Sequence, residues 1–355
     1  DAGRTRHIHC DRMKRMRGAG RHHHGVQPFR HHDHGEAILS PGAFPWQQGR
    51  VYNPAAIVVG RRVALLYRAQ GTERDREDGR WHWPSVIGLA WSTNGKTFTL
   101  ERRPVLTPRV SWDRWAVEDP RVVRIGRAFV LTYTASDGRR AHLALAKTTD
   151  RTLRRWRERT LCFPQESRWT KAGALLPERL NGRYYLYFQM HARNARPKET
   201  HMWLASSKNL RTWEVYPRPV LTARRGHFDN LLVEPGPPPL LVPEGILVLY
   251  NAASASHNIR GRTFAVGWAL FDRHDPSQLL ERCERPILKA EHTTERRGRV
   301  PRVPFRNELE HAGRVAGTIF AEGLVFFRNR WLLYYGMGDT EIGVASLPGR
   351  TLFRT

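Results

Sequence analysis

Short apolar runs that close on an aromatic residue recur five times along this chain: Val63–Tyr67, Phe129–Tyr133, Tyr184–Tyr187, Ile246–Tyr250 and Trp331–Tyr334. Each follows a glycine or polar turn, as at Gly60-Arg61, Gly126-Arg127, Asn181-Gly182, Glu244-Gly245 and Arg328-Asn329. Each is then followed by a run of small and apolar residues: Ile87–Ser92, Leu143–Ala146, Met202–Ser206, Phe264–Trp268 and Ile342–Ser346. Three units close on a similar phrase, Pro104–Leu106, Pro219–Leu221 and Pro286–Leu288. Short strands joined by turns, in a unit of about 55 to 85 residues, predict a radial array of small sheets. No stretch of helical period and useful length competes. A β-sandwich has similar strands but no reason to repeat a whole motif five times. The expected fold is therefore all-β, a single five-bladed β-propeller over residues 36–355.

Residues 1–35 stand apart. They carry eight of the 17 histidines, His22, His23, His24, His31 and His32 among them, and few large apolar side chains. A histidine-rich tract can bind metal, but no fixed ligand spacing accompanies these, so a flexible His/Arg-rich arm that buries little is expected, with no metal and no cofactor.

The net charge of +26 invites a nucleic-acid reading. Only seven of the 59 basic residues are lysine, however, and the arginines are spread along the whole chain. There is no zinc-finger spacing, RNA-recognition signature or basic helix, so no specific nucleic-acid partner is expected, only nonspecific attraction to anionic surfaces. No apolar run approaches the ~20 residues of a membrane span. Three scattered cysteines, Cys10, Cys162 and Cys283, make no CxxC pair or disulfide framework. With no leader pattern in the given chain, a reducing, cytoplasmic setting is the expectation.

In a propeller the innermost strand of each blade lines the central channel. Reading back 14 to 16 residues from each repeat tyrosine reaches Asn53, Asp119, Lys171, Glu234 and Phe320, with Glu322 close to the last. Polar groups thus recur where the repeat would place a common funnel. Carboxylates facing one channel suit glycosyl transfer, in which one group protonates the leaving oxygen and an oxocarbenium-like transition state needs negative charge nearby. Each also has a plainer reading, Asp119 as a turn residue before Pro120 and Glu234 as a solvated carboxylate before a proline-rich turn.

Val117–Val122, Tyr52–Ala55, Leu66–Ala69, Leu176–Tyr185, Gly236–Pro239 and Tyr334–Asp339 together resemble glycoside hydrolase family 130, co-linearly over about residues 50–348. The resemblance implies a five-bladed propeller acting with inversion on β-mannosides, either a mannoside phosphorylase or a β-1,2-mannosidase. It implies that Asp119 is the general acid, working in the phosphorylases through a sugar hydroxyl. It further implies that Asn53, Arg68, Arg121, Lys171 and Asp339 hold the sugar, or phosphate where there is one. A guanidinium fork suits this, since it can hold two oxygens at once.

Two departures from the family pattern bear on the subclass. Where the phosphorylases show a His-Arg pair, this chain reads Tyr187-Phe188-Gln189-Met190; where they read Gly-Ala-Gly-Pro-Pro-Pro, it reads Val233-Glu234-Pro235-Gly236-Pro237-Pro238-Pro239. One change removes a cation, and the other adds a carboxylate. Two unit charges 4 Å apart at an effective dielectric near 20 interact by ~4 kcal/mol, so Glu234 would oppose a phosphate dianion, yet could deprotonate a water. That pattern is similar to the hydrolytic branch and its pair of glutamates, with Glu234 as one, Glu199 as the second and Glu322 in reserve. The leading expectation is an inverting glycosidase releasing mannose from β-mannosides, β-1,2-linked in the first instance, with a mannose-containing oligosaccharide as its partner. The alternative is a phosphorylase that also takes inorganic phosphate and makes mannose 1-phosphate. A non-catalytic, glycan-binding propeller is the third reading, and it has no use for an acid at Asp119.

Overall fold

A computed structural model describes residues 25–71, 84–191, 200–255, 262–292, 295 and 318–353. Its strands form five separate antiparallel sheets, the five blades of a β-propeller. Blade one is Arg50–Val59, Arg62–Gln70, Ser85–Ser92 and Thr99–Leu100. Blade two is Ala116–Ile125, Ala128–Ser136, Ala141–Thr148 and Arg157–Leu161. Blade three is Thr170–Leu175, Tyr184–Met190, His201–Ser207 and Glu214–Val215. Blade four has a divided first strand, Leu232–Pro235 and Leu240–Val242, followed by Gly245–Ala255, Arg262–Phe271 and the short Leu279–Arg282 and Leu288–Lys289. Blade five is Ile319–Phe327, Arg330–Met337 and Glu341–Pro348. First strands touch in turn from blade five through blades one, two and three to blade four, and the first strand of blade five meets the second and third strands of blade four. The second and third strands are buried almost throughout and supply the inter-blade core.

The repeat tyrosines explain why the motif recurs. Tyr67, Tyr133, Tyr187, Tyr250 and Tyr334 are all fully buried, and a buried phenol needs a hydrogen-bond acceptor. Each finds one: Gln47 Oε1 at 2.7 Å, Asp113 Oδ2 at 3.2 Å, the Pro276 carbonyl at 2.8 Å, Asp229 Oδ2 at 2.8 Å and the Gly95 carbonyl at 2.8 Å, respectively. In blades one and four a glycine in the run that follows makes room for the ring. Gly88 pairs with Tyr67 and Gly267 with Tyr250, and a Cβ at either would overlap the phenol.

The ring is closed by the N-terminal segment. Arg30–His31 forms the fourth strand of blade five, with Arg30 opposite Ser346 and His31 opposite Ala345. Val26 bridges to Phe353, and Val26 and Phe29 are buried in the core shared by blades four and five. The expected arm therefore divides: residues 25–35 are built into the last blade, and residues 1–24 lie outside the described residues. The pairing is invisible in the sequence because a two-residue strand has no period to read.

Cys162 and Cys283 are buried free thiols, and Cys10 lies outside the described residues. Among the described residues no helix is long and apolar enough to cross a membrane. The clasp can be tested through Phe29, which is 5% exposed. Phe29→Ala should cost about 3 kcal/mol of stability in urea unfolding, with turnover changed no more than a few-fold. A loss under about 1 kcal/mol would mean that the segment does not hold the ring shut.

Candidate active site

The inner strands do not run straight. Their pairing with the second strand slips between Tyr52 and Pro54, Glu118 and Arg121, Lys171 and Ala174, and Ala321 and Gly323. A bulge at this height bends the strand and re-aims its side chains, and the bulged residues include Asn53, Asp119 and Glu322. Asn53 and Asp119 adopt φ of 49° and 51°, a left-handed conformation that Asn and Asp tolerate better than most residues. Blade four reaches the axis differently, by breaking its first strand after Pro235. A Cβ at Gly236 would fall 2.9 Å from the Ala321 carbonyl oxygen and 3.0 Å from that of Leu249. Only glycine permits this approach, which sets Glu234 against its neighbours.

These devices gather seven charged side chains. Asp119 Oδ1 accepts from Asn53 Nδ2 at 2.7 Å and from Arg68 Nη1 at 3.2 Å. Arg68 Nη2 donates to Glu118 Oε1 at 2.9 Å, its Nε donates to Ser85 Oγ at 2.9 Å, and its guanidinium lies 4.8 Å over the Tyr52 ring. Arg121 points inward. Its Nε donates to the Gly236 carbonyl at 3.1 Å, Nη1 to the Asp119 carbonyl at 3.0 Å and Nη2 to the Pro235 carbonyl at 2.9 Å. That same Nη2 stands 3.1 Å from Glu322 Oε1 and 3.5 Å from Glu234 Oε1. Lys171 Nζ lies 3.8 Å from Glu234 Oε2. The Glu322 contact with Arg121 is an ion-pair distance without hydrogen-bond alignment, and Glu234 Oε2, both oxygens of Glu322 and Asn53 Oδ1 have no hydrogen-bond partner among the described residues.

Three cations, Arg68, Arg121 and Lys171, thus face four carboxyls, Glu118, Asp119, Glu234 and Glu322. All four cannot be ionised cheaply in a buried setting. Burial would raise Asp119, but the charges of Arg68, Lys171 and Arg121 and the Asn53 hydrogen bond outweigh it and hold its carboxyl below the ordinary value. Burial raises Glu234 despite Lys171 and Arg121, and raises Glu118 despite Arg68. Glu322, with no exposed surface, is pushed well above the usual carboxylate range, because Arg121 offsets only part of the desolvation and Asp119 and Glu234 add repulsion. The surplus proton therefore resides on the Glu322 side and the negative charge on Asp119. Every carboxylate here is paired with a guanidinium or ammonium, an arrangement suited to sugar hydroxyls and oxyanions and not to a divalent cation.

The structure brings Asn53, Arg68, Asp119, Arg121, Lys171 and Glu234 to one end of the barrel. Asp339 sits in the turn between the second and third strands of blade five, at the same end, with φ of 50°. Glu199 lies outside the described residues. Arg121, expected to hold the sugar, is 1% exposed with its donors directed at three carbonyls, so it joins strands and does not reach the funnel. Phe320, the strict register position, packs 5.0 Å from Phe264; the bulge gives the axis to Glu322. Gln189, noticed in the sequence only as a departure, pairs with Lys171 and is 1% exposed, with neither amide atom partnered among the described residues. Glu118, which pairs with Arg68, was overlooked. Its signal was the run of two adjacent acids before a proline, which a bulge allows to face one cavity.

The family model described as beta-1,4-mannooligosaccharide phosphorylase, of glycoside hydrolase family 130, matches residues 42–354. A curated relative, the beta-1,2-mannobiose phosphorylase of Thermoanaerobacter sp. (strain X514), is 28% identical, over 87% of this chain and 93% of its own. A solved glycosyl hydrolase from Bacteroides ovatus superposes with a TM-score of 0.76 at 26% identity, covering 93% of this chain and 97% of that one. Another solved structure has a TM-score of 0.75 at 26% identity and covers 92% and 97% of the two chains. It is described as showing that this family of mannoside phosphorylases contains glycoside hydrolases that target beta-1,2 mannosidic linkages in Candida mannan.

The proton assignment makes a prediction about stability. A carboxyl raised on folding contributes stability that is full below its unfolded value, near 4.3, and is lost as pH rises through the folded value. Glu322→Gln, which copies the neutral acid, should therefore be at least as stable as the parent at pH 7, and its relative stability should grow as pH rises from about 4.5. A variant clearly less stable than the parent at pH 7 would show that Glu322 is needed as an anion.

Proposed function

The chain belongs to glycoside hydrolase family 130, and we propose that it cleaves β-1,2-linked mannosides with inversion, taking water as the acceptor. The observation that carries this reading is Glu234. It stands beside Lys171 at the end of an inner strand, where a buried carboxylate repels a phosphate dianion, while Arg121 has its donors turned to backbone carbonyls. Asn53 Oδ1 and the Gln189 amide, buried and unpartnered among the described residues, are the groups that sugar hydroxyls would satisfy. Asp119 is the acid, directly or through a sugar hydroxyl, and Glu234 is the base on water. Arg68, Lys171 and Asp339 hold the sugar. Glu199 keeps its place as a proposed second glutamate.

In the free site the negative charge rests on Asp119, held below its ordinary value by Arg68, Lys171 and Arg121, while burial raises Glu234. The competent form, with the proton on Asp119 and Glu234 bare, is a minority arrangement of a coupled cluster, and sugar binding has to supply the energy that redistributes it.

Phosphorolysis is the second reading. The names of the curated relatives, beta-1,2-mannobiose phosphorylase and 1,2-beta-oligomannan phosphorylase, favour it over water. Lys171, a third exposed, and Arg68 are the cations that phosphate would use. Incubation with β-1,2-mannobiose, with and without inorganic phosphate, separates the two. Water as acceptor gives free mannose, α-anomer first, at a rate phosphate does not raise; mannose 1-phosphate in the presence of phosphate would replace the first reading with the second. Under either, Asp119→Asn should lower kcat by ~10²- to 10⁴-fold while sugar binding persists, and near-full activity on an unactivated mannoside would remove Asp119 as the acid.

A further inference from the structure

A second cluster, away from the funnel, lies where the N-terminal segment meets the chain leaving blade four. His31 Nε2 is 3.0 Å from the Lys289 carbonyl oxygen. A carbonyl only accepts, so Nε2 carries a hydrogen; Nδ1, which also lies 2.9 Å from the Tyr335 hydroxyl, keeps its lone pair in the neutral ring and carries a second hydrogen in the imidazolium. Nδ1 faces Glu295 Oε1 at 2.8 Å. Glu295 is itself fixed: Oε1 accepts from the Tyr335 hydroxyl at 2.7 Å, and Oε2 accepts from the backbone N–H groups of Glu291 at 2.9 Å and His292 at 3.0 Å. The His292 ring stands edge-on to His31, with centroids 5.1 Å apart. One ligand atom from each of His31, His292 and Glu295 falls within 4.8 Å of the other two.

We propose that His31, His292 and Glu295 bind a divalent transition-metal ion of the zinc class, which clips the closing strand of the propeller to the chain after blade four. Two lone pairs 2.8 Å apart need a cation between them, and a proton would serve for the pair. A proton has no use for the third ligand atom that His292 brings, whereas two imidazoles and a carboxylate form a zinc ligand set with one position open. The surroundings fit as well. A ligating histidine donates its other ring N–H to a carbonyl, and a ligating carboxylate is hydrogen-bonded in turn, as His31 to Lys289 and Glu295 to Tyr335 are here. Gly35 leaves room for His292, since a Cβ there would fall 2.5 Å from the imidazole Cδ2. The His34 ring is 6.4 Å from that of His292. Such a clip joins residues 31 and 295 at the one place where the ring is held by a two-residue strand, and it stabilises the fold by binding only the folded chain. It is independent of the sugar chemistry.

The test uses the full chain with His22, His23 and His24 changed to alanine, so that these side chains do not compete, after removal of metal by a chelator. One equivalent of Co²⁺ should give the intense visible spectrum of a four-coordinate N/O site, and one equivalent of Zn²⁺ should quench it and raise Tm. In the same background, His292→Asn should abolish both effects. Tyr335→Phe, which keeps all three ligands and the buried ring, should weaken the metal about 10- to 100-fold and carries the test should His292→Asn fail to fold. Absence of metal binding by the tract-free chain, or full affinity in either variant, would overturn the proposal.

Discussion

The guanidinium of Arg121 is the point on which the centre of the molecule depends. It rises from the inner strand of blade two, donates to carbonyls on blade four and on its own strand, and faces carboxyls from blades four and five. Taking such a charge out of water costs several kcal/mol, and hydrogen bonds from a charged donor return about 1.5 to 3 kcal/mol each. The arginine is stable there only because three carbonyls converge on it, which requires the bulge at Asp119 and the break at Gly236. Backbone geometry and charge are thus one constraint: straightening either strand would strand the cation, and removing the cation would leave Glu322 without its ion-pair partner and Glu234 with Lys171 alone.

The same constraint shapes the chemistry. A fixed, buried cation lets Glu234 and Glu322 approach the axis, yet cannot neutralise both, so the cluster keeps a proton. Asp119, served by Asn53 and Arg68 from blade one, is where the negative charge rests. Carboxyls whose environments push their pKa values apart are the raw material of acid–base catalysis. Membership of a family acting on β-mannosides tells which bond such a cluster serves. The Glu234 side of the funnel, where this chain departs from the phosphorylase pattern, bears on which nucleophile completes the step.

The blades were legible because a buried tyrosine and its acceptor recur together, with a glycine opposite the ring in two blades, at Tyr67 with Gly88 and Tyr250 with Gly267. Asn53, Asp119, Lys171 and Glu234 were legible as positions because the bulges of blades one to three and the strand break of blade four sit at nearly equal distances before those tyrosines. What a bulge does is not written in a count. Register alone pointed to Phe320, whereas the bulge between Ala321 and Gly323 turns Glu322 to the axis. The fork of Arg121 looked like a sugar clamp in isolation, and its inward direction follows from carbonyls more than 110 residues away. Ring closure by Arg30–His31 was hidden for the same reason, since two residues of strand gain meaning only from the blade they complete.

Neutron diffraction from crystals of the free protein at neutral pD tests the central claim directly, because it locates each proton in the cluster. The account predicts a deuteron on a Glu322 oxygen, none on Asp119, and a fully protonated guanidinium at Arg121. A deuteron on Asp119 with Glu322 bare, or four bare carboxylates, would contradict it.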